Sequence, residues 1–173
     1  MIRIANEKDV SAIAAIYEAI HDREEAGEIT TGWLRGIYPT EKTARASCEK
    51  GNEMYVLEEA GEIRAAARIN QDQGEEYADC QWQYPAEDRE VLVIHTLVVD
   101  PKWNGHGYGT AFVKFYEDMA REMGCHYLRM DTNARNAQAR AMYKHLGYSE
   151  PGIVPCVFNG IPNVNLVLLE KKV

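Results

Sequence analysis

The chain lacks any long apolar run. Apolar residues make up 46% of it, yet no stretch approaches the roughly 18 to 20 consecutive apolar residues that a membrane helix needs. Residues 1 to 20 interleave Arg3, Glu7, Lys8, Asp9 and Glu18 with apolar positions, so they lack the basic start and continuous apolar middle of a secretion signal. The expectation is a cytoplasmic location with no membrane partner. Cysteine is sparse: Cys48, Cys80, Cys125 and Cys156 stand 32, 45 and 31 residues apart, which fits neither a CxxC metal pair nor a dense secreted disulfide framework. They read as reduced thiols, and no metal site is expected. Positive charge is also short, with 19 Lys and Arg against 27 Asp and Glu and a net charge of −8. A deficit of that sign argues against nucleic acid as a partner. Two nucleotide-binding loops are missing as well: there is no GxxxxGK[ST], and no GxGxxG followed by a ribose-binding acid.

The acid that is present sits mostly in one half. Residues 1 to 100 carry 21 Asp and Glu against 10 Lys and Arg, whereas residues 101 to 150 carry 5 against 7. The bland reading is a solubilising surface; the sharper one is attraction of a cationic substrate. With 173 residues, the chain has the size of a single domain, residues 1 to 173, that can bury a real core.

Strand and helix patterns alternate along it without a linker or repeat. Ile2 to Ala5 reads as a short strand, and Asn6 with Asp9 as a helix N-cap pair. Val10, Ile13, Ala14, Tyr17 and Ile20 recur at helical spacing, and Glu41 to Lys50 forms a second helix ending at Gly51. Met54 to Leu57 and Ile63 to Ile69 flank Ala60-Gly61 as a hairpin. Asp72 to Arg89 is polar, contains Pro85 and reads as a long loop of the kind that is functional or mobile. Val91 to Val99 carries the most continuous strand signal, as expected of a sheet centre buried on both faces. A helix follows, with Phe112, Phe115, Met119 and Met123 expected on its buried stripe and Gly124 as its stop. Tyr127 to Asp131 is the next strand, Asn136 to Leu146 the next helix, and Val164 to Leu169 a final strand, either central or available to a dimer. The fold class is α/β (α+β), one domain with a mixed sheet.

The most informative stretch joins the central strand to the helix after it. Asn104-Gly105-His106-Gly107-Tyr108-Gly109-Thr110 follows Leu97, Val98 and Val99 and is expected to present backbone N–H groups and a helix N-terminus to an anion such as a phosphate. A GxG stretch alone also makes ordinary turns. A second segment adds weight: in Asn136-Ala137-Gln138-Ala139-Arg140-Ala141-Met142-Tyr143-Lys144-His145-Leu146-Gly147-Tyr148, Asn136, Ala139, Tyr143 and Leu146 share one helix face at i, i+3, i+7 and i+10.

These two segments resemble the two signature motifs of the GNAT superfamily of N-acetyltransferases. The first is similar to the family's acyl-CoA loop, Arg/Gln-x-x-Gly-x-Gly/Ala after a strand with an L-x-V ending. Asn104 departs from it, standing where Arg or Gln is usual, and this reads as a tuning change. The second matches N-x-x-A-x-x-x-Y-x-x-x-G-[FY] without a gap. The resemblance implies a GNAT-like fold: a central mixed, mostly antiparallel sheet flanked by helices, whose two parallel strands splay apart to form the acyl-CoA cleft.

It further implies acetyl-CoA as cosubstrate and direct attack of an amine on the thioester in a ternary complex, without metal. Backbone at Leu97, Val98 and Val99 would pair with the pantetheine arm and stabilise the oxyanion. Asn104, Gly105, His106, Gly107, Tyr108, Gly109 and Thr110 would surround the pyrophosphate, and Asn136 would reach the pantetheine. Tyr143 occupies the family's general-acid position. His95, two residues before Leu97, lies where some members place a base, and its unperturbed pKa near 6.5 suits that work; a buried structural histidine is the competing reading. For the acceptor site, Trp33, Tyr38, Tyr77, Trp82 and Tyr84 with Glu75, Glu76, Glu87 and Asp88 are candidates to hold an ammonium group, or else fill a small cluster under a loop. The expected acceptor is a primary amine of a small molecule, amino acid or peptide terminus, and a homodimer is a common assembly among similar proteins. A non-catalytic acyl-CoA sensor or interaction module of the same fold is the alternative.

Overall fold

The computed structural model describes residues 1 to 173. Ile2–Ile4 forms strand β1, and a turn of 3-10 helix leads into helix α1, Val10–Glu25. The expected Asn6/Asp9 capping pair is present: the Asn6 side chain accepts from Lys8 N–H at 3.0 Å, and the Asn6 N–H donates to Asp9 at 2.9 Å. Arg3 reaches both Asp9 oxygens, at 2.8 and 2.9 Å, and holds that carboxyl below its ordinary pKa. Helix α1 runs past Ile20 and buries His21, whose Nε2 lies 2.9 Å from the Pro39 carbonyl. Thr40 caps helix α2, Glu41–Glu49.

Strands β2, Met54–Glu59, and β3, Glu62–Asn70, form the expected hairpin. Its Ala60-Gly61 turn takes positive φ at both residues, the twist that suits a two-residue hairpin loop. Strand β4, Val91–Val99, buries Val91 to Ile94 completely. Helix α3 spans Tyr108–Met123 and stops at Gly124 in the left-handed conformation. Its buried stripe is not quite the expected one: Phe112, Val113, Tyr116 and Ala120 face the core, whereas Met123 is 54% exposed.

Strand β5, Tyr127–Asn133, is followed by helix α4, Ala137–His145. Two long strands then close the fold, β6, Ser149–Phe158, and β7, Ile161–Lys172, joined at Asn159-Gly160. Strand β6 was not foreseen from its residues, and β7 is twice as long as the apolar core Val164 to Leu169 suggests. The sheet order is β1-β2-β3-β4-β5-β7-β6, so β7 lies inside the sheet and its apolar residues are used within this chain. Every pairing is antiparallel except β4 with β5. This is the mixed, mostly antiparallel sheet that the resemblance implied.

Residues 71 to 90 are less free than a polar loop suggests. They contain two short 3-10 turns, Glu75–Asp79 and Asp88–Glu90, and a buried hydrogen-bond network built on two charged residues ties them to the sheet. Arg129 donates to the Gln73 side chain at 2.6 Å and to the Tyr84 carbonyl at 2.9 Å, while Trp82 lies 4.0 Å from its guanidinium. Glu170, almost fully buried, accepts the Gln83 N–H at 2.6 Å. The loop is therefore a fixed wall of whatever lies beside β4 and β5.

Candidate active site

The parallel pair opens where the two motifs meet. Strand β4 pairs with β5 only as far as Ile94 opposite Met130, although β4 continues to Val99 and β5 stays paired with β7 to Asn133. A bulge drives the separation. On the β3 side, Arg68 faces His95 and Ala66 faces Val98, so Thr96 and Leu97 together oppose Ala67. Thr96 has φ of +52°, unusual for a β-branched residue and a marker of local strain. Beyond Ile94 the edge of β4 that turns from β3 is unpaired, and it borders a cavity of about 1030 Å³.

At one end of this cavity lies the glycine loop. Gly105 and Gly107 have φ of +82° and +80°, which glycine adopts at little cost. The chain thereby enters α3 with Gly107, Tyr108, Gly109 and Thr110 N–H groups unpartnered; the first loop-to-helix bond in this turn is Ala111 N–H to the Gly107 carbonyl at 2.9 Å. Four free donors at a helix N-terminus are suited to an anion. A Cβ on Gly109 would stand 3.2 Å from Met142 Sδ of α4, so the absence of a side chain there lets the two motifs pack together. Arg64, whose guanidinium lies 3.6 Å from the Trp103 ring, braces the loop from behind.

Most of the residues singled out from the sequence converge here. Leu97, Val98, Val99, Asn104, Gly105, Gly107, Tyr108, Gly109, Thr110, Asn136, Tyr143 and His95 all line the cavity. His106 does not: it is exposed, stacks against Tyr108 and points Nδ1 at the Trp103 and Asn104 carbonyls, 3.1 and 3.2 Å away. Asn136 spends its side-chain oxygen on capping α4, accepting the Ala139 N–H at 3.1 Å.

Tyr143 is buried, and its hydroxyl has no hydrogen-bond partner within the chain. Burial, with the Asp131 charge adding to it, pushes its phenol well above the ordinary value, so it remains protonated at neutral pH. His95 behaves differently. Its Nε2 lies 2.9 Å from the Asn70 side-chain oxygen, and burial together with the Arg68 charge drives its pKa down to about 4. The imidazole is neutral at pH 7 and a weak base.

Asp131, one residue beyond the last β4–β5 pair, escaped notice in the sequence because no local motif marks it. It lines the same cavity, accepts a hydrogen bond from the Tyr77 hydroxyl at 2.7 Å and has no cationic partner. Burial pushes its pKa up to about 6. Trp33, Tyr38, Tyr77 and Glu76 line the cavity as well, and Tyr38 hydrogen-bonds Thr96. The other acceptor candidates stand apart. Trp82 packs on Arg129, Tyr84 stacks on Tyr127 at 5.8 Å, and Glu75, Glu87 and Asp88 lie outside the cavity wall.

Residues 13 to 148 match the sequence profile of the acetyltransferase (GNAT) family. The chain belongs to that family. Over 76 residues it is 36% identical to an uncharacterized N-acetyltransferase of Methanocaldococcus jannaschii, covering 44% of this chain and 34% of that protein. Over 64 residues it is 30% identical to the aminoglycoside N(6')-acetyltransferase type 1 of Stenotrophomonas maltophilia, covering 37% and 42%. The chain thus spans between a third and about two-fifths of the curated relatives it matches.

Solved GNAT structures share the whole fold. A GNAT-family acetyltransferase from Streptococcus agalactiae superposes with a TM-score of 0.81 at 20% identity, covering 100% of this chain and 95% of that one. The ribosomal-protein-alanine N-acetyltransferase from Brucella melitensis gives 0.72 at 21%, covering 100% and 99%. GNAT acetyltransferases use acetyl-CoA, and the free N–H row of residues 107 to 110 beside an unpaired strand edge fits such a ligand. No helix is long and apolar enough to cross a membrane.

Proposed function

We propose that residues 1 to 173 act as one domain, a cytoplasmic N-acyltransferase that moves an acetyl group from acetyl-CoA to a primary amine of a small molecule, amino acid or peptide terminus. The observation that carries this reading is the coincidence, in one cavity, of four unpartnered N–H groups at residues 107 to 110, an unpaired strand edge at Leu97 to Val99, and a protonated tyrosine with a free hydroxyl.

Each part has a task. The N–H groups at the start of α3 hold the pyrophosphate, with Asn104 and Gly105 beside it. The backbone of Leu97, Val98 and Val99 continues the sheet with the pantetheine arm, and an N–H of that edge stabilises the negative charge that develops on the thioester oxygen. Asn136 approaches the arm from α4. The amine must arrive at the thioester without its extra proton, and the departing thiolate must gain one. Tyr143 supplies the second proton. His95 and Asp131 both line the splay and can take the first, His95 only weakly.

Release of free thiol from acetyl-CoA, measured with a panel of amines, amino acids, polyamines and peptides, tests the proposal. Amine-dependent thiol release with a matching acetylated product is expected. Acetyl-CoA binding without turnover on any amine would favour the sensor reading, and absence of binding would refute both.

A further inference from the structure

Building on the transferase reading, we infer that the recess of the cavity between α1, α2 and β2 receives the far end of the acceptor, where Tyr17 hydrogen-bonds an uncharged hydroxyl or carboxamide group.

Two buried tyrosines open onto the cavity with hydroxyls that nothing in the chain engages. Tyr143 has its task in proton donation. Tyr17, on α1, has none. Its ring is 1% exposed, and no hydrogen bond reaches its oxygen. The only polar side-chain atoms both sealed from solvent and unpartnered are Arg64 Nε and Arg129 Nε. The Tyr17 oxygen therefore borders open space, and the cavity is the space that the residue lines. Burial holds the phenol well above its ordinary pKa, so it stays a neutral donor. A buried hydroxyl left without a partner costs free energy, and here only water or a ligand can complete it.

The neighbours of Tyr17 define what that ligand group can be. Thr43 and Ser47 of α2 line the same recess, together with the apolar side chains of Ile20 and Met54. The Ser47 hydroxyl gives its proton to the Thr43 carbonyl at 3.0 Å, which leaves its oxygen free to accept. Tyr17 donates and Ser47 accepts, so a group able to do both, a hydroxyl or a carboxamide, suits the pair. A second charge does not. Arg68, which shares a sheet face with Met54 across the β2–β3 pair, is committed to Glu53 and Asp72 at 2.8 and 3.0 Å. Arg23 and Glu28, also on the cavity wall, face each other at 3.7 Å, and His95 is neutral. No uncommitted counter-charge remains on this side to offset a buried ammonium or carboxylate. Tyr38 links the recess to the reacting end: its hydroxyl binds Thr96 at the β4 bulge, and it is near enough to interact with both Tyr17 and Asp131. An acceptor whose amine stands at the splay therefore sends its other end past Tyr38 toward Tyr17. An alkyl end would leave the Tyr17 donor bare, and a site built around a hydrogen bond rejects such an analogue.

The test uses the full chain, acetyl-CoA and a graded series of short ω-amino alcohols, each matched by the n-alkylamine, the α,ω-diamine and the ω-amino acid of equal length. At the length that reaches from the splay to Tyr17, the parent should favour the amino alcohol over the alkylamine by about 10-fold in kcat/KM, the effect of one good neutral hydrogen bond. Tyr17→Phe keeps the ring and strands no partner, so it should fold as the parent does. Its preference should fall to about twofold or less, while acetyl-CoA affinity stays within about twofold of the parent. A Tyr17 that merely supports the fold would lower turnover of both amines alike and keep the ratio. Absence of the preference at every length in the parent, a preserved ratio in Tyr17→Phe, or faster turnover of the diamine or amino acid than of the amino alcohol overturns the inference. A chain that binds acetyl-CoA but acetylates no amine fails the transferase reading instead. Even then the longest amino alcohol must raise the melting temperature of the parent more than that of Tyr17→Phe, and equal shifts overturn the assignment of Tyr17.

Discussion

Replacing Tyr143 by Phe removes one oxygen, and the structure says what that oxygen does not do. The hydroxyl makes no hydrogen bond within the chain, and the ring is only 6% exposed, edge-on to Tyr148 at 6.0 Å. Phe keeps that packing and strands no partner, so the fold should change by less than about 1 kcal/mol. The cost should fall on chemistry instead. A positioned general acid contributes roughly 100- to 10,000-fold, equivalent to about 3 to 5 kcal/mol of transition-state stabilisation. Thiol release at saturating acetyl-CoA and amine should therefore drop by at least 100-fold, while acetyl-CoA affinity from thermal stabilisation stays within a factor of about two. The phenol is raised above its ordinary pKa of 10 by burial first and by Asp131 second. A general acid is active in its protonated form, so with Tyr143 in that role activity should not decline through deprotonation of this group between pH 7 and 9. Retention of half the parental kcat by Tyr143→Phe would refute the general-acid assignment.

Two further perturbations test the frame around the site. Arg129→Met leaves the Tyr84 carbonyl and the Gln73 side chain without their donor and Glu170 without its neighbouring cation, which should cost about 3 to 5 kcal/mol in urea denaturation; a loss under about 1 kcal/mol would mean that the network does not hold residues 71 to 90. Asp131→Asn should stabilise the fold in a pH-dependent manner. The native carboxyl titrates at about 6 against an ordinary 3.8, so the native state binds more protons than the unfolded one between those values, and stability falls as pH rises through that window. The variant should gain nothing below about pH 4 and up to about 3 kcal/mol at pH 7. A gain independent of pH would contradict the raised pKa.

Much of this arrangement is written in local pattern. The run Val91 to Val99 reads as a central strand because it is apolar apart from His95 and Thr96, and the glycine loop and the helix that Asn136 caps are marked by spacing alone. Strand β6 escaped because Pro151, Gly152 and Pro155 interrupt it. Its position at the sheet edge is what tolerates them, since an edge strand has spare hydrogen-bonding positions. The Thr96 bulge carries no glycine to announce it. Asp131 is one acid at a strand end until the parting of β4 and β5 places it beside a cavity and Tyr77 hands it a hydrogen bond. Trp82 and Tyr84 mislead in the opposite sense: their composition suggests a binding wall, whereas Arg129 and Tyr127 use them for packing.

The claim at the centre is that the splay between β4 and β5 is an acyl-transfer site. Following thiol release and product mass in a mixture of the chain, acetyl-CoA and each candidate amine tests it directly. Thiol and an amine heavier by one acetyl group should form in equal amounts, only when donor, acceptor and chain are all present. Failure of acetyl-CoA to bind or stabilise the chain at millimolar concentration would contradict it.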